Sequence, residues 1–205
     1  MIHPQLDAIL NSIEFEDNGS INITGTDWYS DDVRIEFVIR TGIEQDSQLW
    51  EVQIEATRSD LIKSEDFHSM SLSFDHPLLW PFKQFQTNLY FARKAEHPFE
   101  VFFKLSEVHQ ELCADWIPFG SVINSGVPTL KLLTSGAGML AKGPLKLLSG
   151  YKTVLEQYDM GPTFAGGHEP KRWTGKEFIA ESSNLKVLLL GNSFVVADNF
   201  TFARA

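Results

Sequence analysis

The sequence offers almost nothing that would staple, anchor or address the chain. Cys113 is its single cysteine, so no internal disulfide forms and an oxidising compartment is not required. Apolar runs such as Val187 to Leu190 stop at four residues, far short of the roughly 20 that a membrane-spanning helix needs. The opening Met-Ile-His-Pro-Gln-Leu-Asp has neither a basic start nor an apolar stretch, so no secretory leader is expected and the chain reads as cytoplasmic. Without a leader, the sequons at Asn18, Asn22 and Asn199 carry no weight. Internal repeats, low-complexity tracts and a linker are missing too, so the 205 residues read as a single domain, 1–205.

The motifs of familiar chemistry are incomplete. Gly138 and Gly143 have the spacing of a phosphate loop, but Pro144 stands where its lysine is needed. Gly136 and Gly138 open a dinucleotide-type turn whose third glycine is absent, and turn formation explains them better. Ser193 lies in Gly-Asn-Ser-Phe-Val, which lacks the second glycine of an esterase elbow. Cys113 and His109 are four apart, as a nucleophile and its base on one helix face would be. The same face carries Leu112 and Trp116, and ordinary core packing accounts for it equally.

An excess of positive charge is also lacking. The net charge is −10, and residues 1–100 hold 18 Asp/Glu against 7 Lys/Arg, while residues 101–205 hold 9 against 10. Such a field repels nucleic acid and anionic membrane, so neither is expected as a partner, and it attracts a basic protein. Solubility alone would favour the same charge.

What is present is a pattern. Val33, Ile35, Phe37 and Ile39 alternate with Arg34, Glu36, Val38 and Arg40, and Trp50, Val52, Ile54 and Ala56 alternate with Glu51, Gln53, Glu55 and Thr57. His68, Met70, Leu72 and Phe74 alternate with Ser69, Ser71 and Ser73. Side chains on a strand take opposite faces in turn, so these runs predict antiparallel strands with one buried and one wet face. The charges on the wet faces predict opposite-sign pairs across the strands. Thr41 to Gln48 predicts the loop between the first two runs.

Further strands are predicted at Ile21–Ile23, 86–93, 99–104, 130–134, 185–190 and 193–197, the last two joined by Gly191-Asn192 as an interior hairpin. Pro4 and the spacing Leu6, Ile9, Leu10, Ile13 predict a first helix, and Ser106 a cap for a second. Pro144 opens the clearest helix, with Leu147, Leu148, Tyr151, Val154, Leu155 and Tyr158 on one stripe. The expected fold is α+β: a largely antiparallel, strongly curved sheet of about eight strands, with three helices near 4–13, 106–114 and 144–158 packed on one side.

Candidate sites are few. Asp75-His76, Glu96-His97 and His168-Glu169 each precede a proline, and three such pairs would suit a zinc or iron ion if the fold brought them together. None has the His-x-x-x-His spacing of a helical site, and each is also a good turn sequence. Residues 159–176 are aperiodic and glycine-rich. Within them, 163–175 combines His168 and Glu169, candidate catalytic or ligand groups, with Lys171, Arg172 and Trp173, candidate binding groups. The aromatic-rich stretch 74–103 offers a possible contact between copies of the chain.

No motif specifies a cofactor. Three functional expectations follow. The first is a non-enzymatic regulatory or inhibitory protein docking a basic protein partner. The second is a small enzyme or metal-binding protein using 163–175, with His76, His97 and His168 as candidate ligands. The third is a structural subunit of a homo-oligomer.

Overall fold

A computed structural model describes residues 2–42, 46–63 and 65–205. Along the chain run α1 (Pro4–Leu10), α2 (Ile13–Asn18), β1 (Ser20–Tyr29), β2 (Asp32–Thr41), β3 (Asp46–Leu61), β4 (Asp66–Phe67) and β5 (Met70–Ser73). A 3-10 turn over Pro77–Leu79 leads to α3 (Trp80–Lys83), β6 (Gln86–Phe91), α4 (Pro98–Cys113), α5 (Phe119–Val122), α6 (Thr129–Leu133), β7 (Gly138–Pro144) and α7 (Leu145–Gln157). Then come β8 (Thr163–His168), β9 (Lys171–Trp173), β10 (Phe178–Ala180), β11 (Lys186–Leu190) and β12 (Ser193–Arg204). They form two compact units, Met1–Leu79 with Ser182–Ala205, and Trp80–Glu181.

The first, the sheet unit, is a seven-stranded antiparallel sheet in the order β4-β1-β2-β3-β12-β11-β5. The alternation seen in the sequence dictates its register. Phe37 lies opposite Trp50, Ile35 opposite Val52 and Val33 opposite Ile54, and Val52 and Ile54 continue onto Phe202 and Phe200 of β12. These rows are buried, and Leu6 of α1 and Phe15 of α2 join the same core. Pro4 starts α1 as expected, and Ser12 caps α2 by accepting the Phe15 N–H at 3.2 Å.

The sheet is strongly curved. Both edges come from one bent segment, because only His68 and Ser69 separate β4 from β5. The bend is held on both sides: Gly191 N–H donates to Ser69 O at 3.1 Å, and His68 Nδ1 lies 2.9 Å from Gly19 O. The expected inward row His68, Met70, Leu72, Phe74 survives only in its middle. His68 is exposed and Phe74 is 58% exposed, because the strand bends at one end and stops at Ser73 at the other.

The Gly191-Asn192 hairpin sits inside the sheet, as predicted, with Leu190 opposite Ser193 and Gly191 at φ +54°. A Cβ there would also lie 2.8 Å from Phe67, so space and backbone conformation both call for glycine. The Thr41–Gln48 loop is shorter than expected: Thr41 and Asp46 already pair, and Ile43–Gln45 lie outside the described residues.

The second unit has a three-stranded antiparallel sheet, β7-β6-β8, and the two-stranded hairpin β9–β10. Its core includes Leu89, Leu105, Leu140, Leu147, Leu148 and Tyr151. Of the stripe predicted for α7, Leu147, Leu148, Tyr151, Val154 and Leu155 are buried, while Tyr158 lies just past the helix end and is half-buried. Gly150 lets α7 approach α4, since a Cβ would lie 2.8 Å from Val108 and 2.9 Å from Leu112.

Three expectations are corrected in this unit. Residues 99–104 are the first half of α4 rather than a strand. Pro98 occupies its first turn, and Val101, Leu105, His109 and Cys113 recur every four residues on the buried side. Ser106 therefore sits inside the helix, its hydroxyl donating back to Phe102 O at 3.0 Å. Residues 130–134 fall mainly in α6, and part of the stretch expected to be aperiodic forms β8 and β9. The expected α+β fold holds: among the described residues the strongly curved antiparallel sheet has seven strands, close to the eight expected, and further sheets have three and two.

Candidate docking surface

Charge divides by unit just as it does by sequence half. The sheet unit holds 17 Asp/Glu against 6 Lys/Arg, a net of −11, and the second unit 10 against 11, a net of +1. On the wet face of β1–β3 the expected opposite-sign pairs form, both across strands and along β2. Register places Glu36 opposite Glu51, a like-charge pair, and Arg34 opposite Asp27 and Gln53. Arg34 Nη2 reaches both glutamates, 2.9 Å from Glu36 Oε1 and 2.6 Å from Glu51 Oε2. Its pKa is raised, chiefly by the hydrogen bond to Glu51.

Further along β3 the strand bulges, Arg58 being the extra residue between Thr57 and Ser59 opposite β12. Ala56 takes φ +58°, and its N–H donates to Asp32 Oδ1 at 2.9 Å. Arg58 donates to Ala56 O and pairs with Asp198 Oδ2 at 2.9 Å, with only 7% and 17% of the two side chains exposed. These groups are engaged in holding the sheet. Asp27 and Glu55 remain exposed on its wet side, Glu55 accepting a weak bond from Asn199 at 3.3 Å. Burial alone raises the Asp60 pKa.

A groove of about 620 Å³ also opens in this unit, lined by α1, α2 and the segment His68–Leu72, with Asp7 and Glu16 supplying its charges. Nothing in the sequence signals it, because 67–74 reads as one straight strand. The Arg58–Asp198 pair was equally hidden. Its partners are 140 residues apart, and the one clue is an acid directly after the apolar run Phe194–Ala197.

The candidates in the second unit are scattered. His168 and Glu169 are exposed at the end of β8. On β9, Lys171 lies opposite Ala180 and Trp173 opposite Phe178, so these four share one face, and all four are exposed. The Trp173 and Phe178 rings are in contact, with centroids 5.0 Å apart and planes tilted by 52°. Arg172 takes the opposite face with Ile179 and does not converge with Lys171 and Trp173.

His97 precedes α4 beside a cleft of about 440 Å³ that also involves Arg93, Lys94, Tyr158 and Asp159. His76 belongs to the sheet unit, where its Nδ1 accepts the Leu78 N–H at 3.3 Å. Partial burial lowers its pKa, against an upward pull from Asp75. Among the described residues, no three His, Cys, Asp or Glu side chains are grouped so as to hold a metal ion.

His109 and Cys113 are core residues of α4. His109 Nε2 lies 2.5 Å from Ile117 O, which can only accept, so Nε2 carries the proton and Nδ1 accepts from the Tyr151 hydroxyl at 2.6 Å. Both ring nitrogens are thus occupied, and neither serves Cys113. Burial pushes the Cys113 thiol up to about 11 and raises Tyr151 further. Native protein at pH 8 is therefore expected to react with a disulfide reagent at least about a hundredfold more slowly than protein unfolded in guanidinium. Equal rates in a stopped-flow assay would refute this. Because the folded thiol titrates above the unfolded one, its stabilising contribution is complete below pH 9 and is lost as pH rises towards about 11.

Comparison with known protein families, with characterised proteins and with solved structures finds no match to this chain.

Proposed function

We propose that this chain is a non-enzymatic binding protein, of regulatory or inhibitory type, whose sheet unit docks a basic protein partner. One observation carries the reading: the whole excess of negative charge resides in a single compact unit. Such a field steers a basic partner to one side of the molecule and speeds its association. Nucleic acid and anionic membrane are disfavoured by the same field.

The test uses the tagged full chain to capture proteins from extract at about 50 mM and about 300 mM salt, where the screening length falls to below 10 Å. A basic protein recovered in near-equal amount at the lower salt and released at the higher is the expected result. Its loss from the double variant Asp27→Lys, Glu55→Lys is expected too, because both carboxylates are exposed on the wet side of the sheet. Capture that ignores salt and charge reversal would sink the reading.

A second reading has one specific observation in its favour. The exposed face of β9–β10, with Lys171 beside the paired rings of Trp173 and Phe178, has the composition of a binding hot spot. It would make segment 163–175 a ligand-contacting element, tested by the loss of ligand-induced thermal shifts in Trp173→Ala.

A further inference from the structure

The groove in the sheet unit borders an open strand edge. β5 pairs with β11 from Met70–Leu190 to Ser73–Val187, and among the described residues no strand pairs with its other side. β1 pairs with the bent segment only through Ile21 and Asn22, at Phe67 and Asp66. Antiparallel ladders alternate between bonded and non-bonded residue pairs. Gly191 N–H donates to Ser69 O, so Ser69 begins a bonded series that continues through Ser71 and Ser73. Met70 and Leu72 therefore turn their backbone N–H and C=O away from β11, along the edge that borders the groove.

The opposite wall is helical and acidic. Leu10 of α1 and Phe15 of α2 line it with Asp7 and Glu16, and the lining contains no lysine or arginine. A helix has no free backbone groups for a strand edge, whereas an extended chain completes the ladder. Apolar side chains on one face of such a chain meet Leu10, Phe15 and Leu72, and basic ones on the other meet Asp7 and Glu16. Four residues of β5 span about 13 Å, enough for a matching stretch of partner strand.

We infer that this groove receives an extended, basic segment of the partner protein, which adds to β5 as a further strand. The inference rests on the reading that the sheet unit docks a basic partner, and it assigns both the place and the mode.

The test titrates the full chain with a fluorescein-labelled octapeptide of alternating lysine and valine, read by anisotropy at low salt. Two derivatives carry backbone N-methyl groups, one on every valine and one on every lysine. They have the same charge, but each loses the N–H groups of a different edge. Strand addition uses one edge only, so one derivative is expected to bind at least about tenfold more weakly than the other. Leu72→Pro, which removes a groove-facing N–H, is expected to weaken the parent peptide about tenfold, and Leu72→Ala distinctly less.

Equal, salt-sensitive binding of both derivatives would overturn strand addition while leaving acidic docking in place. Failure of the parent peptide at about 1 mM would overturn the groove as the site, and parallel failure of octalysine would remove the docking reading as well. Concentration-dependent dimers abolished by Leu72→Pro would make a second copy of the chain the occupant, which also overturns the inference.

Discussion

Replacing Trp50 by alanine is expected to destabilise the protein by about 3–5 kcal/mol, the range for removing a large buried aromatic side chain. Trp50 is fully buried, lies opposite Phe37 and Arg204, and has the His3 ring 5.4 Å away. The indole is therefore surrounded by β2, β12 and the entry to α1, and no single element can relax into the space it leaves. Among the described residues its buried Nε1–H has no hydrogen-bond partner, which makes phenylalanine the informative second substitution. Trp50→Phe loses part of the ring but also relieves an unsatisfied donor worth about 1–3 kcal/mol, so the net change is expected to stay below about 1.5 kcal/mol. Urea unfolding followed by circular dichroism measures both variants. Equal losses for alanine and phenylalanine would refute the argument from the orphaned N–H. The same curves test the single-domain reading of 1–205: one domain shows one transition, which moves as a whole. Two domains would show a second transition that Trp50→Ala leaves in place.

Removing either partner of the Arg58–Asp198 pair is expected to cost about 3 kcal/mol, near the lower bound for breaking a buried ion pair because Asp198 keeps some contact with water. Arg58→Ala strands a carboxylate whose Oδ1 is already without a hydrogen bond. It also removes the donor to Ala56 O at a residue with positive φ. Asp198→Ala leaves a guanidinium in a site with little access to solvent. The double variant Arg58→Met, Asp198→Leu removes both charges and keeps the volume, so it is expected to recover most of the loss. A double variant as unstable as the sum of its singles would show that the pair contributes packing rather than charge compensation.

The sheet was legible in the sequence where its two faces differ. Period-two alternation from Val33 to Ile39 and from Trp50 to Ile54 marks strands because one side of each is fully buried. Elements without that contrast are not legible in this way. β8 has almost no buried side chain, so backbone pairing with β6 forms it without leaving a pattern. α4 shows the opposite failure. Phe99 and Phe103 are exposed and mask a helical stripe with apolar residues on the wrong side, so the first half of the helix resembles a strand. For the site, local sequence revealed the charge asymmetry but not the groove. A strand edge is a property of what does not pair with it, and it depends on a bend at His68-Ser69 that no residue there announces.

The order of the strands has a consequence for how the protein is made. β11 and β12 lie in the middle of the seven-stranded sheet, between β3 and β5, yet they are translated after the other five strands of that sheet. The second unit, 80–181, leaves the ribosome before them. Throughout that interval the nascent chain holds β3 and β5 with no strand between them, and the apolar rows at Trp50, Val52 and Ile54 lack Phe200 and Phe202. Exposed edges and faces of this kind recruit other chains. The sheet thus stays divided while the second unit is made, and its completion waits on β11 and β12.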